Sequence, residues 1–242
     1  MLIQAKDLPF RELNRQINAA GEQSVTLQGV MGQRFIASGL KGKDVEINGI
    51  PGNALGAYLD GAHITVRGNA QDATGDTMNE GSIRIYGRSG DATGYAMRGG
   101  SIYVQGDSGY RAGIHMKAYS AKYPVLVIGG AAGSFLGEYL AGGVIIVLGI
   151  GHEAEGKAPV GYFTGTGMYG GKIFLRSAHV PHDLPPQVDV REAAAQDREE
   201  AYAHVAQYCA YFGGDPHQLM EHRLLVLTPS EESSYKQLYC AQ

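Results

Sequence analysis

Apolar residues recur along this chain in pairs split by one intervening position, and each pair is followed two residues later by a turn residue. The pairs are Val25/Leu27, Val45/Ile47, Ile64/Val66, Ile83/Ile85, Ile102/Val104, Val125/Val127, Ile145/Val147 and Ile173/Leu175. They close at Gly29, Gly49, Gly68, Gly87, Gly106, Gly129, Gly149 and Ser177. Alternation with period two marks short strands with one buried face. The residues between the paired positions, Glu46, Thr65, Arg84 and Tyr103, are predicted to point outward, and the row continues as Leu126, Ile146 and Phe174. A second apolar ladder, Leu40, Leu59, Met78, Met97, Leu140 and Met168, runs nine residues ahead of the turn residue, with Met116 filling the place in a longer repeat. A glycine stands three residues before most of these, at Gly56, Gly75, Gly94, Gly113, Gly137 and Gly165.

The repeat is 19 or 20 residues long, stretched to 23 before Gly129 and to 28 before Ser177. That is too short for a strand, a crossover helix and a return. The expectation is an all-β solenoid: a single-stranded, right-handed parallel β-helix of about seven to eight coils of ~19–20 residues, with helical caps at both ends. The division predicted is an N-terminal cap over 1–20, the β-helix over 21–178 and a C-terminal helical extension over 179–242.

Both ends carry helical signals. Asp7 to Ile17 reads as a short helix with Asp7 as N-cap and with Phe10, Leu13 and Ile17 on one face. A second helical pattern runs from about Val190 to Tyr211 and stops at Gly213-Gly214. Asp215-Pro216 restarts a short helix, and Leu224 to Leu227 suggests a last strand. Three outward apolar residues, Leu126, Ile146 and Phe174, need a cover, which either the C-terminal helix or a partner protein could supply.

Composition narrows the function. Glycine numbers 36 in 242 residues and follows the repeat, so it does not signal disorder. A net charge of −4 without a basic stripe argues against nucleic-acid binding. Cys209 and Cys240 form no pairing framework and no zinc spacing. The charged N-terminal stretch (Lys6, Asp7, Arg11, Glu12, Arg15) does not read as a signal peptide, and the apolar run Gly142 to Leu148 is too short to span a bilayer. A cytoplasmic protein without a membrane partner is expected.

Catalytic constellations are not evident. His63, His115 and His152 fall on separated repeats and cannot converge on one ion. Asp72, Asp76 and Asp91 gather at one corner and read as solvated turn residues. Gly129 to Gly133 resembles a nucleotide loop only loosely and sits where the repeat needs a corner. No catalytic, cofactor-binding or metal-binding residue is therefore assigned. Insertions in repeat proteins emerge as loops on one face, often the binding face. The two inserts, 108–123 and 150–164, hold the candidates for partner contact: Arg111, Lys117, Glu138 beside them, and His152, Glu153 and Glu155.

Gly137-Glu138-Tyr139-Leu140-Ala141-Gly142-Gly143-Val144-Ile145-Ile146-Val147-Leu148-Gly149 resembles the glycine-repeat (GXGXG) domain at the C-terminus of the glutamate synthase large subunit. Gly106-Asp107-Ser108-Gly109-Tyr110-Arg111-Ala112-Gly113 is similar to a second segment of that domain. The same domain occurs as a free-standing subunit in archaeal-type glutamate synthases and as one of the subunits of formylmethanofuran dehydrogenase. Leu2 follows Met1 where an amidotransferase would place its nucleophile, and the chain has no cysteine cluster. The resemblance thus implies a non-catalytic scaffold in a glutamate synthase-type complex of nitrogen metabolism. Partner chains would be a glutamine amidotransferase-like subunit and an FMN-dependent glutamate synthase-like subunit with an iron–sulfur cluster, and this chain would hold no cofactor. The alternative it implies is the equivalent subunit of a formylmethanofuran dehydrogenase-like or other oxidoreductase complex. Homo-oligomerisation stays open.

Overall fold

The apolar pairs become strands that stack side by side in register. The computed structural model describes residues 1–230. In chain order it contains β1 (Leu2–Gln4), α1 (Phe10–Ala19), β2 (Ser24–Met31), β3 (Asp44–Ile50), β4 (Asp60–Val66), β5 (Glu80–Ile85), β6 (Ser101–Val104), β7 (Val125–Ile128), β8 (Ala141–Val147), β9 (Gly170–Arg176), β10 (Val188–Glu192), α2 (Ala195–Phe212), α3 (Pro216–Glu221) and β11 (Leu224–Pro229). The strands form one eleven-stranded sheet in the order β1-β2-β3-β4-β5-β6-β7-β8-β9-β11-β10. Neighbours from β1 to β9 pair parallel, whereas β11 runs antiparallel to both β9 and β10.

This overturns the expected architecture. The sheet is open, with β1 and β10 as its two edges, and with its helices it belongs to the α/β class. It is not an all-β solenoid or a right-handed β-helix. The reason lies in the segment carrying the second apolar ladder. There the backbone is turn, with positive φ at every other residue: Ala73 (53°), Gly75 (73°) and Thr77 (51°), then Ala92 (53°), Gly94 (74°) and Ala96 (50°). Left-handed residues at that spacing cannot be extended strand. The turns instead bond to one another along the stack, as in Ala73 N–H to Asp91 O (2.8 Å) and Ala92 N–H to Tyr110 O (2.7 Å). Those bonds offset the cost of left-handed backbone in non-glycine residues, about 1–2 kcal/mol each.

One face of the sheet packs on these turns. Ile64, Ile83, Ile102, Leu126, Ile145 and Ile173 align across successive strands and are fully buried. Leu59, Met78, Met97, Met116, Leu140 and Met168 of the turn ladder join the same core, as do Leu13 and Ile17 of α1. The α1 helix starts after Pro9, and Asp7 lies outside it with φ 64°, so Asp7 is not its cap. Asn14 fixes α1 to the first turn by accepting from Ala37 N–H (2.8 Å) and donating to Phe35 O (3.0 Å).

The other face changes character along the sheet. Over β3 to β5 it is polar, with Glu46, Thr65 and Arg84 in one row. From β6 onward the row reads Tyr103, Val127, Ile146 and Phe174, and α2 covers it with Ala201, Val205, Tyr208 and Cys209. Two readings of the sequence shift here. Leu126 faces the turn core and Val127 faces α2, because the longer insert moves the turn by one residue and Gly130, not Gly129, bonds back to Gly106 (2.9 Å). Tyr103 does stand in the outward row, opposite Arg84, but it is only 4% exposed, edge-on to Tyr211 at 5.2 Å, because α2 covers it. The cover for Ile146 and Phe174 is thus this chain's own helix.

The C-terminal pattern also resolves differently. Val188–Glu192 is a strand, and the helix begins only at Ala195. Val190 sits opposite Leu227, so the alternation Val188-Asp189-Val190 serves sheet pairing. Asp215 does cap α3, accepting from His217 N–H at 2.8 Å, and Leu224–Pro229 is the last strand. Cys209 is a buried free thiol, while Cys240 lies outside the described residues. Among the described residues no helix is long and apolar enough to cross a membrane.

Candidate functional site

Each turn segment presents two side chains that flank its ladder glycine, two residues before it and two after. Around Gly75 and Gly94 these are small, as Ala73/Thr77 and Ala92/Ala96, while the repeats before them carry the exposed rings of Phe35 and Tyr58. In the next three they become Arg111/His115 around Gly113, Phe135/Tyr139 around Gly137, and Phe163/Gly167 around Gly165. Backbone bonds hold the three segments in register: Arg111 N–H to Ser134 O (2.9 Å), Phe135 N–H to Tyr162 O (2.8 Å) and Tyr139 N–H to Thr166 O (2.8 Å). The left-handed backbone turns these side chains out of the stack.

The result is an exposed aromatic surface with one arginine in it. The rings of His115 and Tyr139 stack with centroids 5.0 Å apart and planes 11° apart, and Tyr95 meets His115 edge-on at 5.9 Å. Phe135 and Phe163 lie 5.3 Å apart, with Tyr162 beside Phe163 at 6.4 Å. Gly167 makes room for the Tyr139 ring, since a Cβ there would stand 2.6 Å from its Cδ1. Arg111 lies over the Phe135 ring at 5.0 Å and donates through Nε to Glu138 Oε2 at 3.0 Å. Tyr95, Tyr110, Tyr139, Tyr162 and Phe163 remain exposed. Two columns of exposed rings with an arginine beside one of them have the composition of a protein-binding centre.

The six candidate residues therefore fall into two groups. Arg111 and Glu138 pair beside the Phe135 ring, and Lys117 stands exposed on the same insert. His152, Glu153 and Glu155 form the other group, on the loop between β8 and β9. His152 Nδ1 bonds Glu155 Oε1 (2.6 Å) and its Nε2 bonds Asp107 Oδ1 (2.9 Å). Glu153 takes the guanidinium of Arg176 at 3.1 Å and accepts Gly151 N–H at 2.9 Å. Of the other histidines in the repeats, His63 bonds Ser82 Oγ (2.9 Å) and His115 is part of the aromatic stack. Asp72, Asp91 and Asp107 each accept a backbone N–H from the next repeat, at 2.9, 2.8 and 2.9 Å, so they serve as corner struts. Asp76 bonds the hydroxyl of its neighbour Thr77 at 2.7 Å.

His152 carries a pH dependence. Carboxylates only accept, so an imidazole bonded to one on each nitrogen needs both protons. Glu155 first, then Asp107, raise its pKa above the usual imidazole value. The same contacts, with Ala131 N–H and Arg88, outweigh burial and keep Asp107 low, while Glu155 is held low by His152 and Lys157. A raised histidine contributes stability that is complete below the unfolded value near 6.5 and is lost as pH rises through the raised one. Amide protection factors at 150–157 should accordingly be severalfold higher at pH 6 than at pH 9, and His152→Gln should remove that difference. Equal protection at the two pH values in the unmodified chain would contradict this geometry.

Sequence reasoning missed the aromatic columns and Arg176. The columns were findable, because they sit at fixed offsets from a glycine ladder that was itself legible. Arg176 gives no such sign: at the end of an alternating strand it reads as an ordinary exposed residue, yet it is 8% exposed.

Known proteins are similar to this chain in sequence or in fold. An uncharacterized protein of Methanocaldococcus jannaschii is 42% identical over 250 residues, spanning 99% of this chain and 96% of its own length. A chain of the formyltransferase/hydrolase complex (FhcABCD) from Methylorubrum extorquens, solved with methylofuran, shares the fold with a TM-score of 0.66. That match covers 88% of this chain and 80% of the other at 20% identity. The GXGXG motif model matches residues 10–224, nearly the whole described sheet with its turns, and the chain belongs to the GXGXG motif family.

Proposed function

We propose that this chain is a non-catalytic subunit of a multi-subunit complex of the formylmethanofuran-related type, and that it docks a partner subunit on the aromatic turn surface. The observation that carries this reading is that surface: stacked, solvent-facing His115 and Tyr139, with Phe135, Phe163 and the Arg111–Glu138 pair. Covering it would remove apolar area from water at about 25 cal/mol per Å². The fold shared with a chain of the FhcABCD complex supports the choice of complex. A sheet packed on the turn core along its length, and on α2 from β6 onward, suits a part that holds neighbours in fixed relation.

A second reading is the scaffold of a glutamate synthase-type complex, with FMN and an iron–sulfur cluster in partner chains. It is favoured by the segment Gly137 to Gly149 and by Gly106 to Gly113. Purifying the tagged chain from its native cells and identifying the stoichiometric subunits separates the two readings. Formyltransferase/hydrolase-type or formylmethanofuran dehydrogenase-type chains are the expected result. An amidotransferase and a flavoprotein synthase would favour the second reading, and a chain that elutes alone would contradict both. In the same preparation Tyr139→Ala with Phe163→Ala should weaken subunit retention about tenfold or more, since truncating interface aromatics costs on the order of 2 kcal/mol. Both side chains are exposed, so the free chain should melt as before.

A further inference from the structure

The loop that holds His152 also roofs a cavity of about 160 Å³ at the C-terminal end of β9. It is lined by His152, Glu153, Lys157, Arg176, His179, His222 and Arg223, among others. A cavity of that size takes a molecule on the scale of benzene. Among the described residues, its wall sets Arg176, Arg223 and Lys157 against one lining carboxylate, that of Glu153. The acids that pair with Arg223 and Lys157, namely Glu192 at 2.7 Å and Glu155 at 3.3 Å, are not part of the lining.

Arg176 is the fixed element. It is nine-tenths buried, and its Nη1 donates to Leu148 O (2.7 Å) and to Glu153 Oε1 (3.1 Å). Its Nε is buried and has no hydrogen-bond partner among the described residues. A guanidinium seeks planar acceptors, and leaving one of its donors unmet inside a protein is costly. His179 and His222 add two exposed imidazoles at the rim. No group of three or more His, Cys, Asp or Glu among the described residues could hold a metal ion, so the imidazoles are not arranged as a metal site.

We propose that this cavity binds a small oxyanion, a carboxylate or a phosphate, on Arg176, with His179, His222 and Arg223 at its mouth. The site is separate from the docking surface and does not depend on which complex the chain joins. The test titrates the full chain with inorganic phosphate in one arm and succinate in the other, following amide and side-chain shifts by nuclear magnetic resonance. Saturable shifts at Arg176, His179 and His222 in either arm are the expected result, and the stronger arm identifies the oxyanion class. Arg176→Lys should weaken binding about tenfold, because the ammonium keeps the charge but loses the fork. Should that variant fail to fold, His179→Gln with His222→Gln, both at exposed positions, should weaken it at least about threefold. Shifts that stay linear to about 20 mM in both arms, or binding that survives these substitutions unchanged, would overturn the proposal.

Discussion

Gly81→Ala is expected to destabilise the chain by about 4 kcal/mol, whereas Gly61→Ala should cost only about 1–2 kcal/mol. The two glycines have nearly the same backbone, with φ of 97° at Gly61 and 99° at Gly81, so strain from the left-handed conformation is common to both. Their surroundings differ. A Cβ at Gly61 would meet nothing within 4 Å, but at Gly81 it would stand 2.1 Å from the carbonyl oxygen of Ala62. Ala62 is the register partner of Gly81 across β4 and β5, next to an irregularity in the pairing. The contact is backbone on backbone, so the methyl group can be housed only by parting the strands. Denaturant unfolding of the two variants measures the difference directly. Equal losses would mean that close strand approach is not what these glycines provide.

The second large effect concerns Asp197, which anchors α2 to the sheet. Its side chain is 6% exposed and accepts from Arg191 (2.6 Å), from Lys172 (3.0 Å) and from Ala194 N–H (3.1 Å). Asp197→Ala leaves Arg191 without its partner and removes an acceptor at the first turn of α2, for an expected loss of about 3 kcal/mol. Lys172 keeps Glu200 at 2.7 Å, which limits the damage. Arg191 chiefly, then Lys172, hold the Asp197 carboxyl at about 2, against an ordinary value of 3.8. A depressed carboxylate contributes stability that is present above its unfolded value and disappears as pH falls through the folded one, about 2 kcal/mol between pH 5 and pH 2. Acid titration of the unmodified chain and of Asp197→Asn should therefore converge toward pH 2. A constant gap between them down to that pH would contradict the assignment.

Strand positions and inner core were legible because period-two alternation is a local signal. The pairs from Val45/Ile47 to Ile102/Val104, and the Met78, Met97 and Met116 ladder, are buried as their spacing required. The architecture was not legible, because the same apolar period would suit either extended strand or turn. Only the backbone distinguishes them, through non-glycine residues such as Ala73, Thr77 and Ala96 held at positive φ. The strand Val188–Glu192 was hidden inside a helical composition, since its partner Leu224–Pro229 lies more than thirty residues on. In the candidate site, Arg111 and Glu138 could be named as separate charges. That they pair over an aromatic surface follows from a register across the insert, which sequence spacing alone did not reveal. Arg176 was invisible for a different reason: its burial depends on a loop folding back over it.

Hydrogen–deuterium exchange of the native complex against the free chain probes the docking account most directly. Association on the aromatic turns predicts new protection concentrated at 110–117, 134–140 and 161–167, with the α2 face unchanged. A complex in which those three segments exchange as fast as in the free chain would contradict it.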